Sequence, residues 1–350
     1  MTQPITIALD AMGGDKAPGI VVKGIDIARK RHPDVNFLLF GDERRIAPIL
    51  KRFPKIGDRC QIRHAPQVIS AEDKPSHALR RGKDSSMRLA IDAVRDGEAG
   101  GVVSAGNTGA LMAMAKVVLK TVEGIDRPAM AGVLPTRRGE SVILDLGANV
   151  ECTAENLVQF SIMGAEFARS VLGVRRPMVG LINVGTEELK GHDDVKLAAQ
   201  ILRESEGLPL SFEGFVEGDD IGQGTVDVFV TDGFSGNILL KSIEGTAKFY
   251  SDMLRTAFRR SVMSRFGYLL ARPALQAIRK KVDPRTYNGA LFVGLNGVVV
   301  KSHGGTDAIG FANAIGVAAD LIRGRFNEQI VSDLQTLSSQ AAPSSEAAVS

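Results

Sequence analysis

The chain of 350 residues is 44% apolar and 24% charged, with only 5% aromatic side chains and no Trp. That apolar content supplies a core for one large domain or two modest ones, and excludes a disordered chain, a collagen-like repeat and a disulfide mini-scaffold. A net charge of +3 is too small to indicate nucleic acid, and no nucleic-acid signature accompanies it.

No run approaches the ~18 consecutive apolar residues of a transmembrane helix, and Met1-Thr2-Gln3-Pro4 has neither the basic nor the apolar region of a signal peptide. A cytoplasmic location is expected. Cys60 and Cys152 are the only cysteines and show no metal-ligand spacing, so they read as reduced core thiols and no metal is expected.

Short β-branched runs alternate with segments of helical period, the pattern of a parallel sheet covered by crossover helices. In chain order the reading gives strand 5–9, helix 18–31, strands 35–40 and 61–64, helix 86–96, strand 101–103 and helix 108–121. It continues with strand 141–144, helix 151–172, strand 178–182, helix 193–206, strand 226–230, helix 237–260, strand 298–300 and helix 306–322. Pro18 suits a first helical turn and Ser85 a helix cap. The fold class is α/β, with residues 1–334 as a single domain carrying an inserted helical hairpin at about 240–285. From Gln335 the sequence turns small and polar and reads as a disordered tail over 335–350.

Thirty-eight glycines, about 11% against a usual ~7%, are the compositional outlier. They cluster after strands, in Asp10-Ala11-Met12-Gly13-Gly14-Asp15, Ser104-Ala105-Gly106-Asn107-Thr108-Gly109, Asp145-Leu146-Gly147-Ala148-Asn149, Asn183 to Gly191, Thr231-Asp232-Gly233-Phe234-Ser235-Gly236-Asn237 and Lys301 to Asp307. In a parallel sheet all six would lie along one edge and line one cleft. Glycine lets backbone N–H groups approach a ligand, and the following helix N-terminus favours an anion. Four of the loops carry Asn (Asn107, Asn149, Asn183, Asn237), a donor that orients phosphate or an oxyanion without titrating. For any one such loop a strand-to-helix turn is the better account, and the six together reverse that preference.

No GxxxxGK[ST], dinucleotide fingerprint, GxSxG or HExxH occurs. Arg80-Arg81-Gly82-Lys83-Asp84-Ser85-Ser86 sets three cations beside two hydroxyls at a helix start, which suits phosphate; a solvated basic turn with a serine cap accounts for the same residues. Residues 255–285 hold nine cations and one acid, Asp283. Within them Phe266-Gly267-Tyr268-Leu269-Leu270-Ala271, bracketed by Arg265 and Arg272, reads as the apolar tip of a basic hairpin. Such an element fits an anionic bilayer surface, an acidic protein or a packed dimer interface.

In order along residues 5 to 325, IALDAMGGD, KDSSM, SAGNTGA, DLGANV, NVGTEELKG, TDGFSGN and VVVKSHGGTD closely resemble the bacterial phosphate acyltransferase family, which makes acyl phosphate from acyl-acyl carrier protein. The sequence departs from the family's Tyr-Gly-Gly-Ala-Pro at Tyr287-Asn288-Gly289-Ala290-Leu291-Phe292. The resemblance implies a Rossmann-like three-layer α/β/α fold related to phosphotransacetylases and isocitrate dehydrogenase-like enzymes. It also implies a homodimer and peripheral association with the inner face of the cell membrane in phospholipid synthesis, upstream of a glycerol-3-phosphate acyltransferase; the attack of an anionic phosphate on a thioester demands no metal, and no cofactor is expected.

For that reaction Asp10, Gly13, Gly14, Lys83, Ser85, Ser86, Gly106, Asn107, Thr108, Gly109, Asp232 and Gly236 are expected to hold phosphate and substrate, with Lys83 or Lys190 supplying charge. Asn237 and Asn149 would stabilise the oxyanion, and Lys190 or His303 would assist proton movement. Arg265, Phe266, Leu269, Leu270 and Arg272 would contact membrane or carrier protein. A short acyl-coenzyme A phosphotransacetylase and a non-catalytic membrane or carrier-protein scaffold are the alternatives.

Overall fold

The computed structural model describes residues 4–341. Its strands are β1 (Ile5–Asp10), β2 (Val35–Gly41), β3 (Cys60–His64), β4 (Gly101–Ser104), β5 (Ala129–Pro135), β6 (Glu140–Leu144), β7 (Met178–Ile182), β8 (Ser211–Val216), β9 (Val228–Val230), β10 (Ala290–Val293) and β11 (Val298–Lys301). The helices are α1 (Gly19–Arg31), α2 (Glu43–Leu50), α3 (Pro54–Gly57), α4 (Pro75–Arg81), α5 (Ser86–Arg95), α6 (Thr108–Leu119) and α7 (Ala154–Leu172), followed by α8 (Asp193–Glu204), α9 (Asp220–Gln223), α10 (Gly233–Arg259), α11 (Val262–Lys281), α12 (Ala308–Arg323) and α13 (Phe326–Ala341).

Alternate side chains of each strand enter opposite cores, as the two-residue period requires. Ile7, Leu9, Phe37, Leu39, Val142, Leu144, Val228 and Val230 face α1, α7, α8, α12 and α13. Ala8, Leu38, Phe40, Val102 and Val299 face α5 and α6, while Ile143 and Phe229 meet Leu239 and Leu240 of α10. The result is a three-layer α/β/α sandwich around one mostly parallel sheet, ordered β3-β2-β1-β4-β11-β10-β5-β6-β9-β7-β8.

The pairings in the middle of that order decide where the loops go. The pairs β11–β10, β10–β5 and β5–β6 are antiparallel, and the remaining pairs are parallel. Three reversals leave β1, β4 and β11 running one way and β6, β9 and β7 the other. The sequence reading omits β5, β8 and β10. Ala129–Pro135 is rich in small residues and ends in Pro, Ser211–Val216 is interrupted by Gly214, and Ala290–Val293 is four residues long.

Helix ends follow local chemistry. Ser85, Asn107, Asp232 and Asp307 cap α5, α6, α10 and α12 through side-chain oxygens. Thr153 and Asn156 form a reciprocal capping box on α7, which ends at Gly173 in the left-handed conformation.

The structure departs from expectation at the carboxy-terminal segment and at the hairpin. The chain from Gln335 to Ala341 is helical, not a tail, because Phe326, Ile330, Leu334 and Leu337 form a stripe that packs on the core. Arg169 on α7 also donates to Asp333 at 2.7 Å. Residues 342–350 of the expected tail lie outside the described residues. In the hairpin, α10 and α11 turn at Arg260 and Ser261, so Phe266 to Ala271 lies in the body of α11 instead of at the tip. Ser261 caps α11 by accepting from Ser264 N at 3.0 Å, and Phe258 meets Tyr268 edge-on at 5.3 Å. No residue of α11 is buried.

Candidate active site

The six glycine loops form two rims on opposite edges of the sheet, not one cleft. The loops after β1, β4 and β11 make the first rim, and those after β6, β7 and β9 make the second. The reversals that separate them belong to β5 and β10, the strands that local sequence conceals.

The first rim is organised around Asp10, whose carboxylate is fully buried. It accepts from Met12 N at 3.2 Å, Ser86 Oγ at 2.6 Å and Ser104 Oγ at 2.7 Å. Burial pushes its pKa up, and these hydrogen bonds oppose the rise. The backbone packs closely: a Cβ on Gly13 would lie 2.7 Å from Gly106 N, and Gly14, at φ +94, leaves a Cβ only 3.0 Å from that of Ala105. Asp15 N donates to Gly304 O at 3.0 Å, which joins the first and last loops.

Ser85 caps α5 and donates to Gly82 O at 2.6 Å, a structural use of that hydroxyl. Lys83, Thr108 and His303 are exposed at this rim. His303 Nδ1 accepts from Gly305 N at 3.1 Å, and its own N–H donates to Asn288 Oδ1 at 2.8 Å. Asn288, where the family pattern has Gly, also donates to Ser302 Oγ and Gly310 O, and so ties the β11 loop to α12.

Sequence reading missed Lys301, which closes the all-valine run of β11. Its side chain is buried at 9% exposure, and burial lowers its pKa to about 8. The available signal was a charged residue ending a strand apolar on both faces.

The second rim is organised around Asp145. Its carboxylate accepts from Met130 N, Gly147 N, Ala148 N and Asn149 N, at 2.7 to 3.1 Å, and from Asn149 Nδ2. Burial raises its pKa against those bonds. Gly236 packs on this loop so tightly that a Cβ would fall 1.9 Å from Asp145 O, and Gly233 N donates to Asn149 O at 2.7 Å. Asp232, the α10 cap, is engaged by Ser235 N and Ser235 Oγ. Lys190 is exposed and paired with Glu187 at 2.8 Å, which raises its ammonium pKa.

The four loop asparagines separate on their partners. Asn107 donates to Ser70, Ala71 and Asp73 carbonyls while capping α6. Asn149 spends its amide on Asp145 and Pro128 O, and Asn183 spends its own on Gly185 O and Lys190 O. Asn237 is exposed and makes no side-chain hydrogen bond among the described residues. It sits beside Gly147, whose Cβ position at φ +124 would be 3.4 Å from Asn237 Cβ. Asn237 is therefore the loop asparagine whose amide remains open to a ligand.

A family model described as a fatty acid synthesis protein covers residues 5–329. The phosphate acyltransferase of Rhodospirillum centenum is 60% identical over 337 residues, spanning 96% of this chain and 95% of that protein. The chain belongs to the phosphate acyltransferase family. The phosphate acyltransferase of Rhodospirillum rubrum is 59% identical over 334 residues, spanning 95% of each. The fold is similar to that of a phosphotransacetylase from Streptococcus pyogenes, with TM-score 0.60 at 17% identity over 91% of this chain and 94% of that one. It is likewise similar to the EutD phosphotransacetylase from Staphylococcus aureus, with TM-score 0.58, 17% identity and the same coverages. As a member of this family the chain is an acyltransferase that uses phosphate. No helix among the described residues is long and apolar enough to cross a membrane.

Proposed function

We propose that the enzyme converts acyl-acyl carrier protein and inorganic phosphate to acyl phosphate and free carrier protein, supplying a glycerol-3-phosphate acyltransferase in phospholipid synthesis. Phosphate is already an anionic nucleophile at neutral pH, and a thiolate with pKa near ~8.5 leaves without strong protonation. Positioning and charge stabilisation therefore suffice. Phosphate rests on the first rim, against Gly13, Gly14 and Gly106 to Gly109. At the second rim Asn237 donates to the thioester oxyanion, while Lys190 offsets the developing charge.

The observation that carries the reading is the unengaged amide of Asn237 beside Gly147. Because one chain's rims point apart, the reading includes a homodimer in which the first rim of one copy faces the second rim of its partner. The exposed apolar and cationic face of α11, with Arg265, Phe266, Leu269, Leu270 and Arg272, provides peripheral contact with the inner face of the cell membrane.

The direct test supplies acyl-carrier thioester and phosphate and follows thiol release together with hydroxylamine-trapped acyl phosphate. Acetyl-coenzyme A in place of the carrier thioester separates this activity from that of a short-chain phosphotransacetylase. The dimer is tested by mixing Asn237→Ala chains with first-rim Asp10→Asn chains. Restored turnover in the mixed dimer supports a site shared between copies, and a mixture as inactive as its parents refutes it.

A further inference from the structure

We propose that Lys301 is the cation that binds phosphate at the first rim, its ammonium lying at the root of the Ser302–Gly305 loop, which packs against the Asp10–Asp15 and Ser104–Gly109 loops. This deepens the transfer reading by naming the charge that the phosphate dianion meets. The sequence offered Lys83 and Lys190 for that task. Lys83 is exposed, and Lys190 lies on the other rim, paired with Glu187.

Lys301 differs from both. It closes β11 at the root of the loop carrying Ser302, His303, Gly304 and Gly305, with 9% of its surface exposed. Its ammonium donates to Ser302 O, one acceptor for three N–H groups. The charges of Asp10 and Asp15 act on it, yet neither carboxylate lies within ion-pair distance, and that of Asp10 is already engaged by Met12, Ser86 and Ser104. A buried ammonium without a counter-ion is costly, and a bound anion supplies the missing partner. The surrounding loops are built for close backbone approach: Gly13 backs onto Gly106 N, and Gly14 onto Gly304 O. Gly106 N, Gly305 N and Asp15 N are engaged within these loops, so the Lys301 ammonium is the charge-bearing donor they leave to a phosphate dianion.

The charged groups that act on Lys301 are Asp10 from β1 and Asp15 from the following loop. Both carboxylates favour the protonated ammonium, whereas burial opposes it and lowers the pKa to about 8. Phosphate affinity should therefore weaken as pH rises through that value.

The experiment measures inorganic phosphate binding to the wild-type chain and to Lys301→Met by calorimetry and phosphorus NMR, across pH 7 to 10, with melting curves as the folding control. The expected result is a loss of at least about tenfold in affinity in Lys301→Met at pH 7, and in the wild type a fall in affinity above pH ~8 that the variant lacks. The wild-type profile keeps the test decisive even if the variant folds poorly. Equal affinities in the two proteins, a wild-type profile flat through pH ~8, or binding of phosphopantetheine but not of inorganic phosphate would each overturn the proposal. A chain that binds phosphate through Lys301 yet forms no acyl phosphate overturns the transfer reading and leaves the site standing. One that forms acyl phosphate while Lys301→Met binds phosphate normally does the reverse.

Discussion

Asn149 donates its side-chain amide to Asp145 Oδ2 at 2.9 Å while its own backbone N–H donates to the same oxygen at 2.7 Å. The residue clips its loop in place, and nothing of its amide is left to donate to a substrate, since Pro128 O takes the other N–H at 2.8 Å. Asn149→Ala should therefore lower stability by about 1–3 kcal/mol, read as a reduced urea midpoint. Asn237→Ala should leave the midpoint within about 0.5 kcal/mol and reduce turnover on the order of 10²–10³-fold. If the two variants exchanged these phenotypes, the assignment of roles would be wrong.

Lys190 is exposed, and its ion pair with Glu187 is of the kind that adds little to stability. Lys190→Ala should keep the wild-type melting temperature and lose acyl-phosphate formation. A folded variant with unimpaired turnover removes Lys190 from the mechanism.

Gly236 and Gly245 lie on the same helix and make an internal control. A Cβ at Gly236 would fall 1.9 Å from the Asp145 carbonyl oxygen, whereas Gly245 has nothing within 4 Å. Gly236→Ala must displace α10 from the second rim, at a cost of about 1–3 kcal/mol or more. Gly245→Ala should stabilise by roughly 0.5–1 kcal/mol through helix propensity. Thermal melts of both variants decide the matter, and equal shifts would contradict the packing described.

The buried ammonium of Lys301 also couples stability to pH. Its folded pKa of about 8 lies below the unfolded value of 10.5, so between them the unfolded chain binds the extra proton and stability rises with pH. At ~1.36 kcal/mol per unit the full effect is about 3 kcal/mol. In phosphate-free buffer Lys301→Met should be more stable than the wild type at pH 7, and the gap should close by pH ~10.5. A gap that stays constant over this range would show that the lysine is not desolvated as described.

The α11 face exposes Val262, Met263, Phe266, Leu269 and Leu270 at 59% or more. Replacing Leu269 and Leu270 with Glu should release the protein from anionic vesicles in a flotation assay and spare turnover in solution. Unchanged flotation discards the membrane assignment.

Much of the fold was legible because it rests on local signals. Valine-rich strands, the Ser85 cap and the ordered glycine loops are all visible in the sequence. The sense of the central strands was not. Ala129–Pro135 and Ala290–Val293 carry little β-branched density, and their pairing with each other joins residues about 160 apart. Without those two strands the two rims read as one cleft. In the sequence Lys301 looks like any solvated strand-end lysine beside a glycine loop, and only its burial distinguishes it. The Leu334 and Leu337 contacts that extend α13 were masked by Ser and Gln around them.

The path of the chain through the sheet also orders its assembly at the ribosome. β6, β7, β8 and β9 fall between residues 140 and 230 and pair among themselves, so that half can close as soon as it emerges. β11 sits between β4 and β10, which leaves β4 with a bare hydrogen-bonding edge until Val298–Lys301 has been synthesised. The amino-terminal half thus waits for nearly the last segment of the chain, and during that interval its unpaired edge is the surface that a chaperone has most reason to shield.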